Sequence, residues 1–359
     1  MLTLVLGTVI IVTVLWETFE TIILPRRVRR RFRLTRLYYR STWLSWLAIV
    51  NSMTRKRWRR ESLLSFFGPL SLIGLLAIWA IGLVLGFAVV HYGLRSPLTT
   101  QSETVSFATY LYFSGTNFFT LGLGDIAPVS WPARAITVLE AGIGFGFLAI
   151  VIGYLPVIYQ SFSRREVIIS MLDARAGSPP NAAELLRRHA EDKRLEHIDT
   201  LLRDWELWSA ELLESHLSYP VLAYFRSQHD NQSWLAALTA ILDASALVMA
   251  GVKGRSSSQA RLTFAMARHT VVDLCQVFNT EPDLQRSNRL NAADLQHLHA
   301  ALRAVGLDPD DPDGQRLARF RKMYEPYVEA LARHLQMDLP PWIPATLQKD
   351  NWQTTAWER

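Results

Sequence analysis

The chain has 359 residues, half of them hydrophobic, and carries a formal net charge of +6 at pH 7. Its single cysteine, Cys275, excludes an intrachain disulfide and the cysteine-rich zinc motifs. The charge is uneven: residues 26–60 hold 13 Lys and Arg and no acidic residue, whereas residues 164–359 hold 23 basic and 26 acidic residues. A uniformly basic surface is therefore excluded, and the chain divides into an apolar first part and a second part of soluble character.

Residues 1–25 contain the first predicted membrane-spanning helix, at 2–24, because about 20 apolar residues cross a hydrocarbon core about 30 Å thick. The segment has no basic start and no small-residue cleavage site, so we interpret it as an uncleaved helix and not as a signal peptide. Glu17 and Glu20 near its end are expected to pair with Arg26 or Arg27, or to face the second helix.

Residues 26–62 form a predicted basic segment beside the membrane. We expect it to bind anionic lipid headgroups, at about 1 kcal/mol for each basic residue near the surface. The arginines closest to the first helix are Arg26, Arg27, Arg29, Arg30, Arg31 and Arg33. A voltage sensor also carries arginine at every third position, but additional arginines here interrupt the apolar face that such a helix needs. Residues 41–53 predict an interfacial helix or, alternatively, a further short hydrophobic hairpin.

Two more apolar stretches predict membrane spans. Residues 63–92 contain no Asp, Glu, Lys or Arg, and residues 135–160 contain one such residue, Glu140. Because cytoplasmic loops carry the excess of Lys and Arg, the sequence predicts an N-terminus outside the membrane and a cytoplasmic domain at residues 164–359. Nucleic-acid binding is disfavoured for a basic segment that lies beside a membrane helix.

A short helix is predicted at residues 103–119, with Thr104 or Ser102 as its N-cap and Glu103 in its first turn. It leads directly into residues 120–125, which read Thr-Leu-Gly-Leu-Gly-Asp and are called the TLGLGD segment below. Non-helical backbone at membrane depth is tolerated where protein buries it or where it lines a water-filled cavity. The TLGLGD segment is therefore a predicted functional site.

The chemistry of this segment suits a dehydrated monovalent cation, which needs stacked oxygen ligands such as successive backbone carbonyls. Gly122 and Gly124 allow the alternating signs of φ that such stacking requires. Thr120 adds a hydroxyl at the inner end, and Asp125 adds negative charge at the outer end.

The order of helix, short helix, TLGLGD segment and helix at residues 63–163 resembles the pore of bacterial potassium channels with two helices per subunit, whose filter reads T-V-G-Y-G-D. The resemblance implies an all-α membrane protein with an added first helix and a helical C-terminal domain. It also implies a homotetramer, potassium as the permeant ion, no cofactor and no enzymatic activity. By position, the carbonyls of Thr120, Leu121, Gly122 and Leu123 would coordinate K⁺, Gly124 would complete the filter turn, and Asp125 would flank it.

The sequence departs from that signature in places. Leu123 replaces a tyrosine and has no hydroxyl to brace the filter, and Phe119 stands where threonine is common. Tyr112 and Phe113 occupy positions at which aromatic residues usually surround the filter. Two alternatives therefore stay open: a weakly selective monovalent cation channel, and a non-conducting helical scaffold or signalling protein.

The last span carries candidate gating residues. These are Gly142, Gly144, Gly146, Gly153 and Pro156. They predict a hinge near residues 142–146 and a constriction near 156–159, and close helix packing through small residues is the alternative. Glu140, an ionisable residue inside a span, is expected to brace the filter from behind.

Residues 164–359 predict a helical domain without a Rossmann-type ligand site. The expected helices are 182–217, 233–250, 259–279, 292–305 and 314–336, after a break at 177–181. Asp308, Asp310, Asp311 and Asp313 do not follow the EF-hand spacing and predict a solvated acidic turn, and His269, Cys275, His297 and His299 lack the spacing of metal ligands. The domain is expected to control gating or assembly in a bacterial plasma membrane, through a ligand or protein that the sequence does not identify.

Overall fold

The computed structural model describes residues 1–24, 33–99, 104–191, 197–229, 231–251, 257–284, 289–344 and 349–353. Within these residues the α-helices are α1 (Leu2–Thr18), α2 (Leu34–Met53), α3 (Arg57–Ser65), α4 (Phe67–Gly93), α5 (Phe107–Phe118), α6 (Trp131–Ala176), α7 (Ala182–Glu191), α8 (Ile198–Ser218), α9 (Trp234–Gly251), α10 (Ser258–Phe278), α11 (Ala292–Ala304) and α12 (Gln315–Leu335). Two short strands, β1 (Leu98–Thr99) and β2 (Ala127–Pro128), pair with each other. The all-α fold class predicted from the sequence is confirmed.

The chain divides into two compact units, Met1–Tyr159 and Gln160–Arg359. Helix α6 begins in the first unit and ends in the second. The division falls four residues before the boundary predicted at residue 163.

Four helical stretches of the described residues are long and apolar enough to cross a membrane: Leu2–Ile23, Arg57–Gly93, Trp131–Ala176 and Trp234–Gly251. The first three contain the predicted spans. The fourth differs from them because 89% of it is buried inside the second unit, against 17% for the first and the third. A helix that is apolar on all sides and enclosed by other helices of its own unit is a core helix of that unit. We therefore treat the first three stretches as the membrane spans.

The first unit is held together by packing of α1 on α4. Leu75, Trp79 and Leu83 of α4 form the centre of an apolar core, and Ile11 and Val14 of α1 pack against it. The other face of α1 is exposed, as a surface in contact with lipid requires. The added first helix thus covers the outer helix of the predicted pore.

Helix α2 is longer than the interfacial helix predicted at 41–53, and it forms a hairpin with α3 and the start of α4. The Tyr38 hydroxyl donates to the Ser71 carbonyl at 2.8 Å, and the Trp46 indole N–H donates to the Leu63 carbonyl at 3.2 Å. Since residues later in α2 meet residues earlier in α3–α4, the two arms run antiparallel. Trp43 is buried between them against Phe67, so one face of α2 packs on α3 and α4, and an interfacial position of residues 41–53 stays a prediction.

Glu17 at the end of α1 and Glu20 just after it contact residues at the start of α2. Oε2 of Glu17 accepts hydrogen bonds from the backbone N–H of Thr35 at 3.1 Å and from its hydroxyl at 2.8 Å. Oε2 of Glu20 lies 3.7 Å from Nε of Arg33. Carboxylates satisfy the free N–H groups at a helix N-terminus, so Glu17 caps α2 from another helix.

Of the arginines predicted as ion-pair partners or lipid ligands, the structure describes Arg33 alone. Arg26, Arg27, Arg29, Arg30 and Arg31 lie outside the described residues. Arg33 is described, and its guanidinium donates to the Thr21 hydroxyl at 3.2 Å beside Glu20. Lipid binding by this segment stays a prediction.

The second unit is built from α7–α12 around the buried helix α9. The helices agree with the predicted ranges to within about two residues, except that the range 182–217 is described as α7 and α8, with residues 192–196 outside the described part. Asp243 of α9 forms an ion pair with Arg289 at 2.7 Å and accepts a hydrogen bond from the Tyr324 hydroxyl of α12. These buried polar contacts join α9 to α12 in the core of the unit.

The acidic turn after α11 is only partly solvated, which differs from the prediction. Asp310 and Asp311 lie 3.2 and 3.9 Å from the guanidinium of Arg316. Asp311 is buried and accepts from the backbone N–H of Leu317 at 2.9 Å, in the first turn of α12. Across the described residues no group of three or more His, Cys, Asp or Glu is placed to hold a metal ion.

Candidate ion-conducting site

Helix α5 points its C-terminal end into the TLGLGD segment. It begins at Phe107, with Ser106 as N-cap, and the backbone N–H of Ser106 donates to the Thr109 hydroxyl at 3.1 Å. The predicted start at residue 103 was therefore wrong, and Thr104 lies two residues before the true cap. Ser102 and Glu103 lie outside the described residues. A Ser and a Thr three residues apart support each other at a helix start, and that reciprocal pairing decides between nearby candidate caps.

The other end of α5 closes on the first residues of the TLGLGD segment. The N–H of Thr120 donates to the Asn117 carbonyl at 3.0 Å, and the N–H of Leu121 donates to the Thr116 carbonyl at 2.8 Å. This pair of bonds ends a helix with one residue at positive φ, a position that glycine usually occupies. Here it is Thr120, with φ of 55°. A β-branched residue in that conformation costs about 1–2 kcal/mol, and such strain concentrates at functional sites.

From Thr120 to Gly124, positive φ occurs at every second residue. Gly122 and Gly124 have φ of 59° and 75°, and Leu121 and Leu123 between them do not have positive φ. Alternation of this kind turns successive carbonyls toward the same side of the chain. The signs of φ agree with what the two glycines led us to expect, and ion binding by the carbonyls of this segment stays a prediction.

A hydrogen bond fixes the outer end of the segment to α5. The Tyr112 hydroxyl donates to Oδ2 of Asp125 at 3.0 Å. Sequence reasoning placed Tyr112 among aromatic residues near the filter but did not pair it with Asp125. This bond joins Asp125, the last residue of the segment, to α5. Leu123 has no hydroxyl and cannot make a bond of this kind.

The chain on both sides of α5 and the segment is joined by a short pair of strands. Leu98 of β1 pairs with Pro128 of β2, and Thr99 pairs with Ala127. The N–H of Val129 also donates to the Pro97 carbonyl at 3.0 Å. Strand pairing thus closes a loop whose contents are the helix α5 and the TLGLGD segment.

Three buried polar residues join α4, α5 and α6 behind the segment. Ser114 of α5 donates a hydrogen bond to Glu140 of α6, and Nε2 of His91 on α4 lies 3.8 Å from Oε2 of Glu140. Nδ1 of His91 lies 3.1 Å from the Ser96 hydroxyl. His91, Ser114 and Glu140 have no solvent exposure. Glu140 therefore contacts α5, and bracing of the filter by this residue stays a prediction. His91 and Ser114 were missed because they lie far from Glu140 in the sequence.

The candidate gating glycines fall into two groups. A Cβ atom on Gly144 would lie 2.1 Å from the carbonyl oxygen of Phe118, so this glycine allows close approach of α6 to the end of α5. A Cβ atom on Gly142, Gly146 or Gly153 would meet nothing within 4 Å. Helix α6 continues through Pro156 to Ala176. The packing interpretation therefore applies to Gly144, and a hinge at the others stays a prediction.

The segment and α6 expose large apolar side chains in the single chain. Leu121 and Leu123 are each 61% exposed, and Phe145 and Ile152 of α6 are 69% and 72% exposed. An apolar surface of this kind, next to polar backbone that needs enclosure, is typical of a contact with other subunits or with lipid.

Comparison with known proteins finds similarity in this region. Residues 75–160 match the model of a family described as ion channel. The chain is also 26% identical over 191 residues to YdjJ, an uncharacterized membrane protein of Bacillus subtilis (strain 168). That match covers 53% of this chain and 55% of the relative, so the chain spans about half the length of the curated relative it matches. No solved structure matches the chain. The family match runs from α4 through α5 and the TLGLGD segment into α6, so the region predicted to form a pore is similar to ion channels.

Proposed function

We propose that four copies of this chain form a potassium-selective channel that conducts K⁺ passively across a bacterial plasma membrane. The observation that carries the proposal is the TLGLGD segment, whose backbone alternates in hand directly after helix α5, inside the region that matches the ion channel family. The carbonyls of Thr120, Leu121, Gly122 and Leu123 would bind the ion. Asp125, held by Tyr112, would stand at the outer entrance.

The homotetramer follows from what one chain lacks. One row of carbonyls faces an ion from one side, whereas dehydrated potassium needs oxygen ligands around it, which four copies related by a rotation axis provide. Leu121 and Leu123 are mostly exposed in the single chain, and neighbouring copies would cover them. The exposure of these leucines in the single chain supports assembly through the segment.

Control of gating by the second unit is supported by the way in which the unit holds the end of α6. Nη1 of Arg165 donates to the Leu222 carbonyl at 2.9 Å, and Nη2 donates to the Phe225 carbonyl at 2.8 Å. Arg165 is buried, so this part of α6 belongs to the core of the second unit. Since α6 is one continuous helix, a rearrangement of the second unit would act on the predicted gate at Gly142, Gly146, Gly153 and Pro156.

Orientation and localisation complete the proposal. The Lys and Arg excess at residues 26–60 and the pair Arg164–Arg165 favour a cytoplasmic position of both regions, with the N-terminus outside and the second unit inside the cell. Arg26, Arg27, Arg29, Arg30, Arg31 and Arg33 would face anionic headgroups, among which Arg33 also contacts Glu20. The proposed activity is transport, without enzymatic chemistry or a cofactor.

The experiment that tests the proposal is a reversal potential measured on purified protein in liposomes with a potassium gradient against sodium. A reversal near the potassium equilibrium potential is the expected result. A robust current that reverses near zero would contradict potassium selectivity and favour the weakly selective cation channel, for which the loss of the filter hydroxyl at Leu123 is the specific reason.

Absence of current would favour the scaffold alternative once a closed gate is excluded. For that purpose Pro156→Ala and Gly142→Ala, both outside the filter, serve as gate variants, because a change at either residue alters the predicted hinge without touching the carbonyl row. A wild-type chain and gate variants that are all silent in potassium gradients would overturn the channel proposal.

A further inference from the structure

We propose that the second unit binds the headgroup of a phospholipid that carries both a phosphodiester and a primary ammonium, as ethanolamine lipids do. The proposed site is a cavity of about 500 Å³ between the last part of α6 and α8, within the range typical of ligand sites. Its lining includes Gln160, Ser161, Arg164, Glu211, Glu214 and Tyr219. Binding is argued here independently, whereas an effect of binding on conduction rests on the proposed function.

The first argument is the position of the cavity along α6. The predicted span ends at residue 160, and α6 continues without a break. A helix rises 1.5 Å per residue, so Arg164 lies about 6 Å beyond Gln160 along the helix. The headgroup layer on each side of a bilayer is about 5–8 Å thick. Gln160, Ser161 and Arg164 therefore line the cavity at the depth of lipid headgroups, where a lipid reaches it directly.

The second argument concerns the two arginines that line the cavity, Arg164 and Arg165, and which of them can bind a phosphate group. Arg165 also lines the cavity, but its guanidinium is buried and bonded to the Leu222 and Phe225 carbonyls and to Glu166. Arg164 is exposed, and no contact of its guanidinium with another side chain is present among the described residues. An arginine with free donors on a polar cavity wall is suited to a phosphate oxygen pair.

The third argument is the pair of carboxylates on the opposite wall. Glu211 is half-buried and has no ion pair or hydrogen bond among the described residues, and Glu214 accepts from the Ser218 hydroxyl at 3.1 Å. A headgroup with negative charge alone would meet both carboxylates without compensation. A primary ammonium donates up to three hydrogen bonds to them, which a quaternary ammonium lacks. The combination of Arg164 with Glu211 and Glu214 selects a headgroup that bears both charges.

The cavity floor is rigid enough to hold such a ligand. Behind Arg165, Nε2 of His216 accepts from Nη1 at 3.2 Å, and the Trp208 indole donates to the Arg165 carbonyl at 3.4 Å. His216 and Trp208 are buried. A headgroup between Arg164 of α6 and Glu211 of α8 would therefore link two helices that are already fixed to each other at this point, so that binding orders those two side chains and not the helices.

The test is lipid retention by the purified full-length chain, measured by native mass spectrometry after exchange with defined lipids. We expect ethanolamine lipid to be retained about tenfold more than glycerol or choline lipid of equal chain length. Arg164→Gln and Glu211→Gln should each remove that preference. Arg203→Gln and Asp204→Asn, which make the same charge changes on the exposed face of α8, are the matched controls and should keep it.

Equal retention of the three lipids, or an unchanged preference in Arg164→Gln with an unchanged melting temperature, would overturn the inference. The same headgroup chemistry could come from a membrane lipid or from a free compound, and competition with soluble glycerophosphoethanolamine distinguishes the two. If the soluble compound displaces the lipid at equal concentration, the ligand is the free compound and the assignment to a membrane lipid is wrong. Potassium flux in liposomes with and without ethanolamine lipid tests regulation. Absence of flux in every lipid would contradict the proposed channel, while retention still decides the binding site.

Discussion

At the scale of single residues, the conformation of a few backbone positions decides whether the TLGLGD segment can bind an ion. Thr120, Gly122 and Gly124 have positive φ, and the intervening leucines do not. Two of the three are glycines, which adopt this region without steric cost, and the third is a strained threonine. The segment therefore differs from an ordinary loop, because positive φ recurs at every second residue.

Substitution of Gly122 by alanine tests this period. Alanine at φ of 59° costs about 1–2 kcal/mol, so we expect the backbone to leave that conformation and flux through reconstituted protein to fall about tenfold or more. Gly306 gives a matched control, because it has φ of 79° and its added Cβ would also meet nothing within 4 Å. Gly306→Ala should keep normal flux. Equal flux in wild type and Gly122→Ala would rule out a conducting role for the segment.

The hydrogen bond from Tyr112 to Asp125 leads to a prediction about selectivity. Tyr112→Phe removes the hydroxyl and keeps the ring, and a bond of this kind contributes about 1 kcal/mol. We expect the filter to loosen, with the permeability ratio of potassium to sodium reduced about fivefold while current persists. Tyr92→Phe, which changes an exposed tyrosine of α4, is the control. A ratio that is unchanged in Tyr112→Phe would show that the bond does not brace the filter.

At the scale of elements, the pore domain depends on how closely α6 can approach the end of α5. The carbonyl of Phe118 occupies the space where a side chain on Gly144 would lie. Gly142 and Gly146 lie two residues before and after Gly144, and a side chain at either position would meet open space in the single chain. Glycines that look alike in the sequence therefore have different structural roles, which spacing alone does not reveal.

Gly144→Ala should displace α5 and with it the TLGLGD segment. Because the added carbon would meet backbone, which cannot rotate away, we expect a loss of about 1–3 kcal/mol of stability together with a loss of flux. Gly142→Ala should preserve the melting temperature of the detergent-solubilised protein, and a change in its open probability would support a hinge there. A melting temperature of Gly144→Ala equal to that of wild type would contradict the packing role.

The buried pair of His91 and Glu140 joins α4 to α6 and invites a double-mutant cycle. Removal of one partner leaves the facing atom of the other without a counter-group, although Glu140 still accepts from Ser114 and His91 still contacts Ser96. Such a loss costs about 1–3 kcal/mol, whereas replacement of both by apolar groups is often close to neutral. We expect His91→Leu and Glu140→Leu each to lower the melting temperature more than the double variant does. Additive losses in the cycle would show that the two residues do not interact.

At the scale of the whole molecule, the sequence predicted what depends on local pattern. The three spans, the position of the TLGLGD segment and most helices of the second unit follow from apolar periodicity and from breaks at Gly and Pro, which act over a few residues. The contacts of Glu140 with His91 and of Arg165 with Phe225 join residues 49 and 60 positions apart and depend on tertiary packing. The start of α5 was missed for a different reason, since several nearby hydroxyl residues were acceptable caps.

The second unit should respond to pH, because burial lowers the pKa of several of its histidines. Burial holds the pKa of His216 well below its usual value of 6.5, and the charge of Arg165 adds to the effect. Its Nδ1–H donates to the Leu212 carbonyl at 2.8 Å, which leaves Nε2 as the acceptor that Arg165 needs. Burial also lowers the pKa of His299 and His334. The neutral form of each is therefore the folded form.

Acidification should consequently destabilise the second unit. A histidine with a lowered pKa binds its proton more readily in the unfolded chain, so stability is constant above about pH 6.5 and falls below it by up to about 1.4 kcal/mol per pH unit for each such group. Hydrogen exchange of peptides from Ile198–Ser218 in the full-length protein should accelerate accordingly between pH 6.5 and pH 5, after correction for the intrinsic rate. His216→Gln should reduce that slope, whatever its effect at pH 7. An identical slope in wild type and His216→Gln would show that His216 already binds its proton in the folded protein.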